Sequence, residues 1–213
     1  LCFQPLEPLP VVSRAATPPA FGCFGNPSKI TRSTVALWAQ ALRAAPLAKL
    51  ILANLALGSS VAEARIRRFF DEEGIDQARI DIRSKTEDRG SFLHMYGEVD
   101  VALDAHPYNG TTTTFEVFGL GIPTVALAGD NHRSRVGASI LTHLGHPDWV
   151  ATSREEFGRM AGELIQDRSL LDRLRVSLPQ ELKASPYSDP AAFVVKLEDA
   201  YIEAWERWCA NPQ

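Results

Sequence analysis

Four consecutive threonines at residues 111–114 are the side chains of this sequence best suited to bind an anion. An apolar segment before them predicts a buried strand over 99–103, followed by an Asn-Gly turn. An apolar helix at about 115–120 and a second buried strand at 122–126 come after them. The first turn of a helix has unpaired N–H groups and partial positive charge, and threonine hydroxyls add donors. The pattern therefore predicts either a diphosphate site or a threonine-capped helix, since Thr is also a favoured N-cap residue.

A second polar turn follows the first predicted strand, residues 21–25. It contains Asn26 and Lys29, and the helix after it is capped by Thr31 or Thr34. Further strands are predicted at 49–53, 79–82 and 149–151, and further helices at about 60–73, 91–97, 134–144, 153–167, 169–178 and 191–209. Strands alternating with helices indicate a doubly wound α/β domain with a parallel sheet. Ligands of such sheets bind outside the carboxyl ends of the strands, so both polar turns should line one crevice.

Composition restricts the class of protein. With 45% apolar and 23% charged residues and no apolar run of membrane-spanning length, we expect a soluble globular protein. Net charge is −4 with both signs scattered, which argues against nucleic acid as a partner. The cysteines Cys2, Cys23 and Cys209 lie far apart without a CxxC pair, so we expect reduced thiols in a cytoplasmic protein.

We expect residues 1–20, which are rich in proline and start without methionine or a signal peptide, to be a linker from a longer polypeptide. Residues 21–213 should then form one domain, including the C-terminal helices.

Several common site motifs do not occur in the sequence. The glycine-rich signatures of dinucleotide-binding enzymes and of P-loop NTPases are missing, as are HExxH and GxSxG. His143 and His146 are three residues apart, but no further metal ligand stands close by, and Asp130 with His132 is equally isolated. We therefore predict no metal site and no bound cofactor.

Three segments carry a resemblance to a known family, the O-linked N-acetylglucosamine transferases. They are FGCFGNPSKI with ALWAQALRAAP, then VDVALDAHPYNGTTTTFEVFGLGIPTVALAGDNHRSRVGASILTHLG, and finally WERWC. The resemblance runs from about Phe21 to Cys209. It implies the C-terminal Rossmann-like half of a two-domain, glycosyltransferase B-type enzyme that is inverting and metal-independent and holds the UDP of the donor sugar. Relatives in bacteria also carry tetratricopeptide repeats.

The resemblance also implies roles for individual residues. Lys29 matches a lysine that contacts the diphosphate, where its charge would stabilise the departing UDP. Thr112 and Thr113 match two threonines that bind the phosphates, and Glu116 stands where the animal enzyme has an aspartate on the ribose hydroxyls. Asn26 stands at a glutamine near the nucleotide.

Three further positions depart from the family pattern. Thr111 replaces a histidine. Counting back from the strand at Val99 without gaps places Arg89 at a second phosphate-contacting lysine and Phe92 at a histidine that packs on the uracil. A local gap would instead bring His94 to the uracil, and Phe92 would then be a core residue.

The function that the resemblance implies is donor binding in a protein O-GlcNAc transferase, with UDP-GlcNAc as donor and UDP as product. Protein acceptors bearing Ser or Thr would be bound by parts of the enzyme outside this chain, and the isolated chain should transfer sugar poorly. Two alternatives stay open: a UDP-glucose-dependent asparagine glucosyltransferase, and a non-catalytic scaffold or oligomerisation domain derived from the same family.

Overall fold

Six parallel strands form one sheet in the computed structural model, which describes residues 2–3, 18–84 and 95–210. The strands are β1 (Ala20–Cys23), β2 (Lys49–Ala53), β3 (Ile80–Arg83), β4 (Val101–Leu103), β5 (Thr124–Leu127) and β6 (Val150–Ala151). Their order is β3-β2-β1-β4-β5-β6, so the chain winds outwards in both directions from β1 and β4. This order confirms the predicted doubly wound sheet and puts its switch point between β1 and β4.

The strand positions follow the sequence prediction closely. β2 has the predicted bounds, and the other strands begin or end one or two residues away from them. β4 begins at Val101 instead of Val99 because the N–H of Val99 donates to the carbonyl of Tyr96 in a turn. The apolar run is therefore longer than the strand that it contains.

Helices cover both faces of the sheet. They are α1 (Arg32–Ala44), α2 (Ser60–Glu72), α3 (Thr112–Gly119), α4 (Val136–His143), α5 (Arg154–Gln166), α6 (Arg168–Ala184) and α7 (Pro190–Ala210), and residues 95–97 are also helical. Thr31 is the N-cap of α1, where its hydroxyl accepts the N–H of Thr34, and Ser153 caps α5 in the same way. No helix in the described ranges is both long and apolar enough to span a bilayer.

The core that holds the site lies on both sides of the switch point. Trp38 of α1 is fully buried on one face, and its indole N–H donates to the carbonyl of Asp104 at 2.9 Å. On the other face, the rings of Phe24 and Tyr96 stack with centroids 3.7 Å apart. These contacts fix the residues that directly follow β1 and β4.

Helix α7 differs from the rest of the fold. None of its residues 190–210 is buried. Val194, Tyr201, Trp205 and Trp208 are each about half exposed or more, and the two indoles stack with centroids 5.3 Å apart.

Candidate functional site

The two polar turns predicted from the sequence meet at the carboxyl ends of β1 and β4. Lys29 ends a short 3-10 turn after β1, and its Nζ donates to the carbonyl of Asn109 at 2.8 Å. The same ammonium group lies 4.0 Å from the centre of the Tyr108 ring. A lysine and a threonine-rich loop separated by 80 residues in sequence thus share one crevice, as the sequence predicted.

The β4–α3 loop, residues 104–111, is held by buried polar groups. The Asn109 side chain is almost fully buried; its amide donates to the carbonyl of Ala105 at 2.8 Å, and its oxygen accepts the N–H of Gly137 at 3.2 Å. The loop is therefore tied to the first turn of α4. A loop fixed in this way can present backbone groups to a ligand without reorganising.

Helix α3 begins at Thr112, about three residues before the predicted start. Thr111 occupies the N-cap position, yet its hydroxyl makes no capping bond within the described residues. Thr112 and Thr113 belong to the first turn, where the N–H groups lack intrahelical acceptors. Capping by the Thr111 hydroxyl therefore does not account for the threonine run, of which Thr114 is buried.

A carboxyl group lies beneath this loop. Oδ1 of Asp104 accepts the N–H of Ala105 at 2.8 Å and the N–H of Gly110 at 2.7 Å. Burial raises the pKa of Asp104 to about 7, although these two N–H groups and the charge of Lys29 favour the ionised form. The charge of this group therefore changes near neutral pH.

Two other titratable groups near the crevice are kept neutral. Burial raises the pKa of the Cys23 thiol to about 12, so this cysteine does not supply a thiolate nucleophile. Burial also lowers the pKa of His106 below its ordinary value, which favours the neutral imidazole. Among the described residues, the crevice thus offers hydrogen-bond donors and the charge of Lys29, and Cys23 adds no ionised thiol.

Glu116 lies one turn into α3, and its side chain is half-buried. Its Oε2 accepts a hydrogen bond from the hydroxyl of Tyr96 at 3.3 Å. Burial raises the pKa of Tyr96 well above its usual range, with Glu116 adding to the effect, so the phenol stays protonated and donates. A carboxylate oriented in this way is a suitable acceptor for vicinal hydroxyl groups.

The remaining predicted residues have mixed outcomes. Asn26 is exposed, and its side-chain oxygen caps the 3-10 turn by accepting the N–H of Ser28 at 2.9 Å. Arg89, Phe92 and His94 all lie outside the described residues.

Sequence reasoning did not select Asp104, Tyr108 or Tyr96. A carboxylate directly after a buried strand, at the edge where ligands bind, was the available signal for Asp104. Tyr108 precedes the Asn-Gly turn, and Tyr96 lies in a different segment from Glu116, so their contacts depend on the tertiary fold.

Histidines predicted not to bind a metal have other partners. His143 contacts the carbonyl of Ser139 through Nδ1, and Nε2 of His146 lies 2.6 Å from a carboxylate oxygen of Glu181. Across the described ranges, no group of three or more His, Cys, Asp or Glu side chains could hold a metal ion.

An open parallel sheet of this order, with a lysine and a helix N-terminus at its switch point, is a doubly wound domain, and its structural neighbours show it to be of the glycosyltransferase B type. Residues 19–197 match the model of glycosyl transferase family 41. The chain belongs to this family, and it corresponds to the C-terminal domain of O-GlcNAc-transferase-like proteins.

Individual relatives agree with this assignment. The probable UDP-N-acetylglucosamine–peptide N-acetylglucosaminyltransferase SPINDLY of Petunia hybrida is 32% identical over 98% of this chain, which spans 23% of the petunia protein. A mutant O-GlcNAc transferase of Thermobaculum terrenum superposes with a TM-score of 0.85 at 33% identity, over 99% of this chain and 40% of the other. HepE of Anabaena, solved with UDP and glucose, shares the fold with a TM-score of 0.58 at 14% identity, over 88% of this chain and 48% of its own. The chain spans about a quarter of the curated relatives.

Proposed function

We propose that this chain is the donor-binding domain of an inverting, metal-independent protein O-GlcNAc transferase, with UDP-GlcNAc as the donor. The observation that carries the proposal is the position of the Lys29 ammonium group, which lies 2.8 Å from the carbonyl of Asn109. Asn109 is two residues before Thr111, the N-cap of α3. A cation next to a helix N-terminus is a favourable site for a diphosphate. The donor is assigned from the activity for which the petunia relative is named, that of a probable UDP-N-acetylglucosamine–peptide N-acetylglucosaminyltransferase.

The described residues offer groups suited to the diphosphate and the ribose of the donor. The Thr112 and Thr113 hydroxyls and the N–H groups of the first turn would bind the phosphate oxygens. Glu116 would accept hydrogen bonds from the ribose hydroxyls, with Tyr96 orienting its carboxylate. As the family resemblance implies, Arg89 would contact the phosphates and Phe92 would pack on the uracil, with His94 as the other candidate for the uracil. Asn26 would make a further contact to the nucleotide.

The proposed reaction is a single displacement at the anomeric carbon. A Ser or Thr oxygen forms the new bond to that carbon while the bond to the β-phosphate oxygen breaks, and UDP leaves with the electron pair. Negative charge grows on the diphosphate, where the Lys29 ammonium and the N-terminus of α3 stabilise it. Lys29 is therefore the catalytic residue that we assign within this chain.

Acceptor binding and the general base are assigned to polypeptide outside the donor-binding domain. We take this domain as residues 21–213 together with Ala20, the first residue of β1, and the residues before Ala20 as a linker. The isolated chain should then bind nucleotide but transfer sugar poorly, since it does not hold donor and acceptor together. We also infer a cytoplasmic location, because the three cysteines are free thiols.

Calorimetric titration of the 213-residue chain with UDP tests the proposal. Saturable binding of UDP, at least about tenfold tighter than GDP, is expected if uracil and diphosphate are both recognised. The wild-type chain should bind deoxy-UDP more weakly than UDP. The Glu116→Ala variant should bind the two nucleotides with equal affinity, because it lacks the carboxylate that accepts hydrogen bonds from the ribose.

Other outcomes distinguish the alternatives. Tighter binding of GDP would contradict the uridine assignment. Absence of any nucleotide signal at millimolar concentration would favour the scaffold function over donor binding. If UDP binds, a comparison of UDP-GlcNAc with UDP-glucose in the longer protein, with Ser/Thr and Asn acceptors, separates the two transferase functions.

A further inference from the structure

The carboxyl group of Asp104 lies directly under the β4–α3 loop, and the proposed reaction does not use it. The residue is 7% exposed, and Oδ1 accepts two backbone N–H groups, from Ala105 and Gly110. These two donors stand at the beginning and near the end of the loop. One carboxylate oxygen therefore links the two ends of the loop through hydrogen bonds.

Between the two bonded N–H groups lies the residue that contacts Lys29. Asn109 donates through its side chain to Ala105 and offers its main-chain carbonyl to the lysine ammonium group at 2.8 Å. Gly110 then leads into Thr111, the N-cap of α3. Displacement of the Asp104 carboxyl would consequently move both the carbonyl that holds Lys29 and the backbone that enters the helix.

Space around the carboxyl group is restricted. A Cβ at Gly110 would lie 2.8 Å from the hydroxyls of Thr113 and Thr114 and 3.4 Å from Oδ1 of Asp104. A Cβ at Gly137, the second residue of α4, would overlap Oδ2. The loop at Gly110 and the first turn of α4 at Gly137 therefore pack closely against the carboxyl group, and the loop has little freedom to repack around a different side chain.

We propose that Asp104 is a positioning residue for nucleotide binding: its Oδ1 fixes the N–H groups of Ala105 and Gly110, and the loop so held places Lys29 and the α3 N-terminus at one diphosphate. The inference rests on the proposed function, because it assumes that the ligand of this crevice is a nucleoside diphosphate. Asp104 acts through the loop and touches no part of the donor.

The second oxygen of the Asp104 carboxyl group distinguishes this residue from a buried aspartate that only stabilises the fold. Most buried side-chain polar atoms have at least one hydrogen-bond partner, yet Oδ2 of Asp104 has none in the part of the chain that the structure describes. Asp100, at the other end of β4, accepts the N–H of Ala20 at 2.9 Å and lies 3.4 Å from the guanidinium of Arg168. Asp100 is the matched control, since it is equally buried and far from the crevice.

The test compares Asp104→Ala, Asp104→Asn and Asp100→Ala in the 213-residue chain. Two quantities are measured: hydrogen exchange at individual amides of the nucleotide-free protein by NMR, and calorimetric affinity for UDP and for uridine. Uridine lacks the phosphates, so the ratio of the two affinities isolates the diphosphate site. A variant that only destabilises the domain would not change this ratio.

For Asp104→Ala we expect faster exchange at Ala105 and Gly110, by about tenfold or more, and a similar loss in UDP affinity with little change for uridine. Asp104→Asn should remain within about threefold of wild type in both measurements, because its amide oxygen can still accept the two N–H groups. Asp100→Ala should leave both unchanged at the crevice. If Asp104→Ala does not fold, Asp104→Ser replaces it, since a serine hydroxyl is too short to reach both donors.

Three results would overturn the inference. They are unchanged exchange at Ala105 and Gly110, unchanged UDP affinity despite faster exchange, and equal losses for UDP and uridine. A wild-type chain that does not bind UDP would instead refute the proposed function. In that case the exchange data alone decide whether Asp104 holds the loop.

Discussion

The two ends of β4 each carry a buried aspartate, and the fold compensates the two carboxyl groups differently. Asp100, before the strand, has the Arg168 guanidinium as a partner. Asp104, after the strand, accepts two main-chain N–H groups, and Lys29 is directed to the carbonyl of Asn109. The amino edge of the sheet therefore pairs charge with charge, whereas the carboxyl edge keeps its cation close to the surface of the crevice.

Two further arginines at the amino edge bond to backbone carbonyls in the interior of the fold. At the amino edge, Arg79 donates to the carbonyls of Leu42, Ala45 and Ala48, and Arg175 donates to those of Val99 and Leu120. Such bonds satisfy backbone groups and stabilise the fold. Substitutions at the amino edge should therefore change stability, and substitutions at the carboxyl edge should mainly change nucleotide binding.

Gly121→Ala should give the largest effect, at the amino edge. Gly121 has a φ of +73°, and an added Cβ would lie 2.5 Å from the backbone oxygen of Arg175. We expect a loss of about 2–4 kcal/mol in the free energy of unfolding, from left-handed strain and overlap with backbone. Urea unfolding measures this loss. At urea concentrations below the unfolding midpoint, the affinity for UDP should equal that of wild type. A loss of affinity without a loss of stability would contradict the separate roles of the two sheet edges.

The pH dependence of stability should distinguish Asp104. Its pKa is raised to about 7 in the fold, from about 3.9 in an unfolded chain. Between about pH 4 and pH 7 the carboxyl group is therefore protonated in the folded protein and ionised in the unfolded chain. The contribution of Asp104 to stability is fully present below about pH 4 and is lost as the pH rises through 7. Relative to Asp104→Asn, the wild-type chain should lose about 2 kcal/mol between pH 5 and 7.

Paired urea titrations at several pH values measure that difference. Asp100→Asn is the control for replacing a buried aspartate in the same strand. A stability difference between wild type and Asp104→Asn that stays constant across this range would show that Asp104 does not titrate there.

Lys29→Ala should weaken UDP binding by about tenfold or more, equivalent to about 1.4 kcal/mol, with little loss of stability. The physical reason is loss of the ammonium group beside the α3 N-terminus. Lys49→Ala is the matched control, because Lys49 is a part-buried lysine at the start of β2, on the amino edge, 4.0 Å from Asp81. Equal effects of the two substitutions on calorimetric affinity would indicate general electrostatics in place of a site.

Thr113→Val should have the smallest effect, a loss of about threefold to tenfold in UDP affinity, because one hydroxyl is replaced by a methyl group of similar size. Thr142→Val, on the exposed side of α4, serves as the control. If Thr113→Val binds UDP as tightly as wild type, the phosphate contacts come from the helix N–H groups alone.

Much of this architecture could be predicted from local sequence. The apolar runs at 49–53 and 99–103 identify strands, and Thr31 and Ser153 are recognisable N-caps. The start of α3 was predicted too late because its first turn is threonine, which gives no apolar periodicity. The four threonines together with the Lys29 turn located the crevice, since both follow strands at one edge of a parallel sheet.

The supporting groups could not be predicted in the same way. The bond from Lys29 to Asn109 joins residues 80 positions apart, and the one from Trp38 to Asp104 joins residues 66 apart. Asp104 by itself resembles any turn residue after a strand. Its role depends on the hydrogen bond that it accepts from the N–H of Gly110, and the sequence pattern does not show that the loop returns to this contact.

The exposed indoles of α7 divide the intrinsic fluorescence of the protein into separate populations. Of the four tryptophans, Trp38 is fully buried and Trp149 partly buried, while Trp205 and Trp208 are each about 60% exposed. A water-soluble quencher such as iodide should therefore reach the α7 pair and leave Trp38 emitting. Any molecule that covers α7 would shift the emission to shorter wavelength, so this helix reports its own contacts without an added label.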